Sequence, residues 1–540
     1  MERVAVVGAG MAGLVTAKEV LEEGSEVVLF EEEAKIGGVF STGLGYDRMH
    51  LTVSNYFMAF SSLPPPEDQG RYFWSRAEYV QYLERFTDKF DLKKHTRTST
   101  KVTGIFRNPD GTFRVASMGP LGPREENFTA VAICRGAFRR VAPRMIPLEG
   151  NYTGEIVHTA DWSGPEQFRG KRVVCVGMGE TSADITKWIS DVAQECWLSM
   201  RSYPLLIERY PYGGADTNDA FSTRVLHWGD HIRTVTALKE RLLHYSPEMP
   251  ARNRLVLEWL SKSKGGRFLQ KNDVFIDNVL SGAIKPTIGG IERCEGKRIY
   301  FKDGQSTEAD IVMLCTGYEE GSIPSDWVEG LEIPDVRHLY KHMFHPDTGR
   351  RLAFIGWARP VQGGIPAAAE MQARLFARAC SGKWDLPQGT ELHDKIAADV
   401  ARETALTNGI PYMRTLVRYT DYMDDVANLV GCNPKLEDFL DDPDLLYRLA
   451  CGSNIAPCYR LVGPHADPEG ARKVIMRVPV AMEKSVPHRD IFDQLIPHNL
   501  VGRVPAEKLD QIVSVLKSRF TNAWEGRPTT YVQATPPSFS

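Results

Sequence analysis

Apolar positions along this chain spell out one pattern twice. At residues 3–31 (RVAVVGAGMAGLVTAKEVLEEGSEVVLFE) the wholly apolar run Val4–Val7 reads as a buried strand. After a glycine-rich turn, Leu14, Ala17, Val20 and Leu21 recur at helical spacing, Gly24 suits a helix C-terminus, and Val27–Phe30 forms a second strand. Residues 172–202 (RVVCVGMGETSADITKWISDVAQECWLSMRS) repeat the order: a strand at Arg172–Val176, a helix over Ser182–Val192 and a strand at Cys196–Ser199. Strands alternating with helices predict an α/β fold with parallel sheets. Near the other end, Leu509, Ile512, Val513, Val515, Leu516 and Phe520 predict one amphipathic helix at 506–520. It could pack on the core or on a second subunit.

Each repeat carries glycines at its first turn. Gly8, Gly10 and Gly13 form a GxGxxG between strand and helix, where backbone amides and the helix N-terminus can take a pyrophosphate. Glu31, at the end of the second strand, is placed to accept hydrogen bonds from a ribose. Gly37 and Gly38 add a glycine pair where a flavin pyrophosphate would lie. In the second copy the loop is Gly177-x-Gly179-x-x-Ser182, and Arg201 stands where the first copy has Glu31. An acid suits a free 2′-hydroxyl and an arginine suits a 2′-phosphate. The expectation is FAD at the first loop and NADPH at the second, on two Rossmann-like dinucleotide-binding domains. Two such sites imply a flavin reduced by a nicotinamide.

Composition narrows where the electrons go. The nine cysteines among 540 residues are scattered without a CxxC, which argues against a dithiol centre, a four-cysteine zinc site and a disulfide framework. Oxygen is the simplest remaining acceptor. Lys+Arg 65 against Asp+Glu 69 gives no basic surplus, so neither nucleic acid nor an acidic membrane is expected as partner. The N-terminal apolar run is broken by glycines and no run of 18 apolar residues occurs, so a cytoplasmic protein is expected. His227 and His231 stand four apart, but an interior glycine and the lack of HExxH argue against zinc. No metal is expected.

Between the loops, Tyr152-Thr-Gly154-Glu-Ile-Val-His158-Thr-Ala-Asp-Trp162 is similar to the FxGxxxHxxx(Y/F/W) fingerprint of class B flavoprotein monooxygenases. Ser199 and Arg201 match the SxR of the flavin-containing monooxygenase family, and Arg209 its second arginine. The stretch Asp219–Arg224, the strand end Cys315-Thr316-Gly317-Tyr318, LAFIGWARP at 352–360 and Glu370–Arg374 follow in family order. The resemblance covers roughly residues 1–480. It implies that NADPH reduces FAD and that O2 forms a C4a-hydroperoxyflavin, whose distal oxygen passes to an amine nitrogen or a sulfide sulfur. It also places Thr316 and Gly317 among the cofactor contacts and makes Asn55 the candidate catalytic group. The alternative for Asn55 is a loop asparagine bonding its own backbone. His158 is expected to orient or link domains.

Trp162 leans toward Baeyer–Villiger oxidation of a ketone, which stays open beside an uncoupled NADPH oxidase. The organisation expected is an FAD domain at 1–165 and 311–480, an inserted NADPH domain at 166–310 and a helical extension at 481–540. A homodimer is compatible with that extension.

Overall fold

The apolar runs become the centres of two parallel sheets in the computed structural model. It describes residues 2–42, 45–136, 141, 146–148, 151–211, 216–229, 251–263, 269–318, 327–332, 336–406, 415–481 and 496–524. In chain order the sheet strands are β1 (Arg3–Val7), β2 (Glu26–Phe30), β3 (Thr96–Arg97), β4 (Ala130–Ile133) and β5 (Glu155–His158). They continue with β6 (Arg172–Val176), β7 (Glu195–Met200), β8 (Ile284–Ile288), β9 (Ile311–Leu314) and β10 (Leu352–Phe354). The first sheet runs β10-β4-β1-β2-β3 and the second β8-β7-β6-β9-β5. Every pairing in both is parallel.

The principal helices are α1 (Met11–Glu22), α2 (Arg76–Lys89), α3 (Glu180–Ser190), α4 (Ile365–Cys380), α5 (Tyr419–Val430), α6 (Pro443–Cys451) and α7 (Ala506–Trp524). Gly24 ends α1 as the sequence requires: its N–H donates to Leu21 O and that of Ser25 to Val20 O, a Schellman pair.

Alternation along β1 explains why it is apolar throughout. Val4 and Val6 face one core, shared with α1 and α4, while Ala5 and Val7 face another. That second core is roofed by an antiparallel sheet of Lys101–Arg107, Phe113–Gly119 and Gly122–Phe128. Burial on both faces is the condition under which parallel strands form. β6 repeats the device, with Val173 and Cys175 in one core and Val174 and Val176 in another.

The chain divides into two compact units. One takes Met1–Ala137, Asp219–Thr234 and Glu320–Thr530, the other Phe138–Asn218 and Val235–Glu319. The expected domain bounds put 155–158 and 311–314 in the first domain, yet β5 and β9 complete the second sheet, Val157 opposite Met313. Their partners are far apart in sequence, which local periodicity does not record. The stretch from Asp219 also returns to the first unit, where buried Arg224 pairs with Asp424 of α5 at 3.4 Å. Helix α7 packs on its own chain: Ile512, Leu516 and Phe520 enter the first unit's core, and Arg519 pairs with Asp444 of α6. Among the described residues no helix is long and apolar enough to cross a membrane.

A buried ion group ties α1 to α4. The Arg460 guanidinium stands 2.5 Å from Glu19 and 3.0 Å from Glu370, and Lys18 adds a bond of 3.1 Å to Glu19. Burial alone would raise the Glu19 carboxyl, but Arg460, Lys18 and Arg374 hold it at about 2. Arg460→Met should therefore lose about 3–5 kcal/mol of unfolding free energy in urea, because two buried carboxylates lose their cation. Arg472→Met, which breaks a half-exposed pair with Asp442, should shift it by less than about 1 kcal/mol. Equal shifts would show that the Arg460 group is not a structural tie.

Candidate active site

The first glycine loop is built by a close approach. A Cβ at Gly13 would stand 1.7 Å from Gly8 O, so helix α1 seats on the end of β1 only with hydrogen at that position. Gly8 itself has φ +103°, and a Cβ there would meet Cys134 O at 2.8 Å. The Gly37 N–H donates to Ala9 O at 2.9 Å and lays the second glycine pair across the loop. A Cβ on Gly38 would come within 3.1 Å of Gly10 Cα. Two side-chain-free backbones thus face each other at the N-terminus of α1, a groove suited to a diphosphate.

Glu31 follows β2 at this groove. One carboxylate oxygen accepts from Ala9 N at 2.6 Å and the other from Glu33 N at 2.9 Å. Each oxygen keeps a lone pair for a ribose hydroxyl. Burial pushes this carboxyl above its ordinary range, partly offset by the two backbone donors. Gly8, Gly10, Gly13, Glu31 and Gly38 therefore gather at the carboxyl ends of β1 and β2.

The second loop repeats the geometry with one change. A Cβ at Gly177 would meet Cys315 O at 2.5 Å, and Gly179 has nothing within 4 Å of the corresponding point. At the third position Ser182 replaces glycine and donates its hydroxyl to Gly177 O at 2.8 Å. Ser199 lies buried on β7, and exposed Arg201 follows that strand. Thr316 and Gly317 follow β9 beside Gly177. The Oγ of Ser199 and the Oγ1 of Thr316 are buried without a hydrogen-bond partner. Buried polar atoms are seldom left so, and a nucleotide at the strand ends would supply partners. The second group of site residues thus collects at the carboxyl ends of β6, β7 and β9.

Three other residues named from the sequence have these surroundings. Asn55 opens the short helical turn Asn55–Met58, fully buried; its Nδ2 donates to Gly70 O at 2.9 Å and its Oδ1 accepts from Tyr56 N and Tyr72 N. Its Oδ1 is taken up by loop backbone, as the loop-fixing alternative expects, while Nδ2 keeps a second N–H beyond the one given to Gly70 O. His158 caps the turn Thr159–Asp161, its Nδ1 accepting from Ala160 N, and stands edge-on to Tyr318 in the same unit. Trp162 stacks on Phe168 at 5.7 Å.

His227 bonds Gln362 at 2.6 Å through Nε2, His231 lies outside the described residues, and no metal-binding cluster occurs among the described residues. Sequence reasoning missed Glu180, the first residue of α3. Its carboxylate accepts from Lys271 N at 2.9 Å and from Gln270 Nε2 at 3.3 Å. Burial pushes it up to about 7 against the pull of Lys271. An acid directly after the loop's second glycine was the available signal.

The family of flavin-binding monooxygenase-like proteins matches residues 1–501. The chain belongs to this family. It is a flavin-dependent monooxygenase. It is 39% identical over 491 residues to a 4-hydroxybenzoate brominase (decarboxylating) of Marinomonas mediterranea, covering 88% of this chain and 93% of that protein. It is 29% identical over 503 residues to human flavin-containing monooxygenase 5, covering 88% and 91%. Among solved structures, the S-allyl-L-cysteine S-oxygenase of Allium sativum superposes with a TM-score of 0.59 at 20% identity, over 96% of this chain and 99% of that one. That last likeness shows the shared fold.

Gly13→Ala should lift α1 off β1 and lower bound flavin per protein at least tenfold, read from the visible absorbance of the purified protein. Gly70→Ala, where a Cβ meets nothing within 4 Å, should retain the flavin. A yellow Gly13→Ala protein would refute the close-approach account.

Proposed function

We propose that this monooxygenase holds FAD at the Gly8–Gly13 loop and NADPH at the Gly177–Ser182 loop, and transfers one oxygen of O2 to a soft nucleophile, an amine nitrogen or a sulfide sulfur. The observation that carries this is the pair of glycine loops with opposite charge at the strand ends, Glu31 at one and Arg201 at the other. When bound, FAD accepts a hydride from NADPH and supplies the oxygen-activating chemistry.

The chain's own residues bind and orient. The amides at the start of α1 and α3 take the two diphosphates. Glu31 accepts the FAD ribose hydroxyls, and Arg201 donates to the 2′-phosphate that distinguishes NADPH from NADH. Ser199 and Thr316 offer buried hydroxyls to the second nucleotide. No acid–base pair is required, because the acceptor's lone pair attacks the transferred oxygen directly; keeping water out matters more.

A second reading is favoured by the 39% identity to a decarboxylating brominase. Bromide is also a soft nucleophile. Taking one oxygen oxidises it by two electrons to hypobromite, which can brominate a 4-hydroxybenzoate ring carbon as the carboxylate leaves as CO2. Oxygenation of a ketone, toward which the fingerprint aromatic Trp162 leans, is the third acceptor class to be compared.

One assay separates these readings. NADPH consumption is measured with a tertiary amine, a thioether, bromide plus 4-hydroxybenzoate, and a cyclic ketone in turn, with products identified by mass spectrometry. The lead reading expects an N-oxide or sulfoxide in proportion to NADPH, and the second expects bromophenol. Stoichiometric hydrogen peroxide with every acceptor would overturn both. Arg201→Gln should raise the KM for NADPH about 10–100-fold, the worth of one or two charge-assisted hydrogen bonds, with NADH little affected. An unchanged NADPH preference would show that the phosphate is read elsewhere.

A further inference from the structure

The second nucleotide site carries a charge of the wrong sign for its ligand. Glu180 directly follows Gly179 and is the first residue of α3, so its own amide belongs to the helix turn that a diphosphate would engage. The first loop has Met11 at the corresponding place. The Glu180 side chain is held by the segment around β-residues 269–270 and beyond: Lys271 N and Gln270 Nε2 donate to its carboxylate, and Asn272 Nδ2 donates both to its carbonyl and to Asp184 of the same helix.

Charged groups of both signs face Glu180 among the described residues. Lys271 and Arg209, both buried, favour its anion, and Asp184 disfavours it. Behind them stand Glu208, Asp273 and Asp277 around Arg252, which bonds Asp273 at 2.5 Å and Asp277 at 2.7 Å. In the free protein, burial pushes the Glu180 carboxyl up to about 7, so its charge is poised near neutrality.

On the reading that the Gly177–Ser182 loop is the NADPH site, we propose that Glu180 takes up one proton from solvent when the nucleotide docks, and so makes nucleotide affinity fall as pH rises. A diphosphate engaging the first turn of α3 would bring two negative charges to the turn that carries this carboxylate, and a nearby like charge favours the neutral acid. The bound state then holds more protons than the free state, so affinity is highest where Glu180 is already protonated. It declines toward tenfold per pH unit once the free carboxyl is ionised. Well below neutrality both states are protonated and no uptake occurs.

The test is calorimetric titration of the FAD-loaded enzyme with NADP+, which binds without turnover, in phosphate and in Tris between about pH 6 and pH 8.5. The difference in heat between the buffers counts protons. Near pH 8 the nucleotide's own 2′-phosphate, with its second ionisation around 6, is dianionic both free and bound and contributes nothing. The wild type should take up close to one proton there, with Kd rising up to tenfold per pH unit. Glu180→Gln should take up none, hold a flat Kd and bind about tenfold more tightly at the alkaline end. Glu208, which burial also pushes up to about 7, bonds Asn253 and stands behind Arg252, so Glu208→Gln should keep the wild-type uptake. Binding without uptake in the wild type, or uptake that survives Glu180→Gln, would overturn the proposal alone. Absence of NADP+ binding at every pH would overturn the reading of the second loop and the proposal with it.

Discussion

Helix α1 can lie on β1 only because nothing projects from Gly13, and much of the first unit is arranged around that seat. The close approach aims the first turn of α1 at the groove between Gly10 and Gly38. The other end of the helix carries Lys18 and Glu19, two buried charges that an ordinary surface helix would leave in water. They are tolerable because Arg460 reaches Glu19 and Glu370 together, joining α1 to α4. Such a bridge adds little net stability over an apolar core of the same shape, yet it is costly to break. Its effect is to hold the helix in one register, which a loop reading a diphosphate by backbone amides requires.

The two carboxylates near the loops show how position sets the role of one chemical group. Glu31 ends a strand, where its oxygens meet backbone N–H groups and can meet hydroxyls, all donors. Glu180 opens a helix, where the natural visitor is an anion. The first acid fits a sugar and the second opposes a phosphate. Raised proton affinity follows at both from burial, but only at the helix start would a bound diphosphate add to it.

This also marks what the sequence made legible. Each glycine loop and the charge ending its second strand lie within about 30 consecutive residues, the span of one βαβ unit, so local pattern sufficed. The sheet membership of β5 and β9 depends on pairing across more than 150 positions, as between Val157 and Met313, and periodicity carries no such information. The return of the stretch at Asp219 to the first unit rests on Arg224 meeting Asp424, again a distant partner. Asn55 and Trp162 mark a different limit. A motif records which residue occupies a place, whereas its neighbours, loop backbone for one and Phe168 for the other, appear only in the fold.

The seat of α1 has a second support that no motif announced. Lys341 and His342 are consecutive, buried and left-handed, with φ of 54° and 56°. For non-glycine residues this costs roughly 1–3 kcal/mol each, so the surroundings must impose it. They do: Lys341 pairs with Asp399 at 2.8 Å and with Asp425 of α5 at 2.6 Å, and His342 meets Glu403 at 2.7 Å. The strained geometry turns Lys341 O inward, where Gln372 of α4 and Tyr422 of α5 both donate to it. The same Gln372 accepts from Gly356 N, and a Cβ at Gly356 would stand 2.8 Å from Ala12 Cβ. Strain in one turn is thereby converted, through a single glutamine, into the placement of the backbone that lies against the first turn of α1.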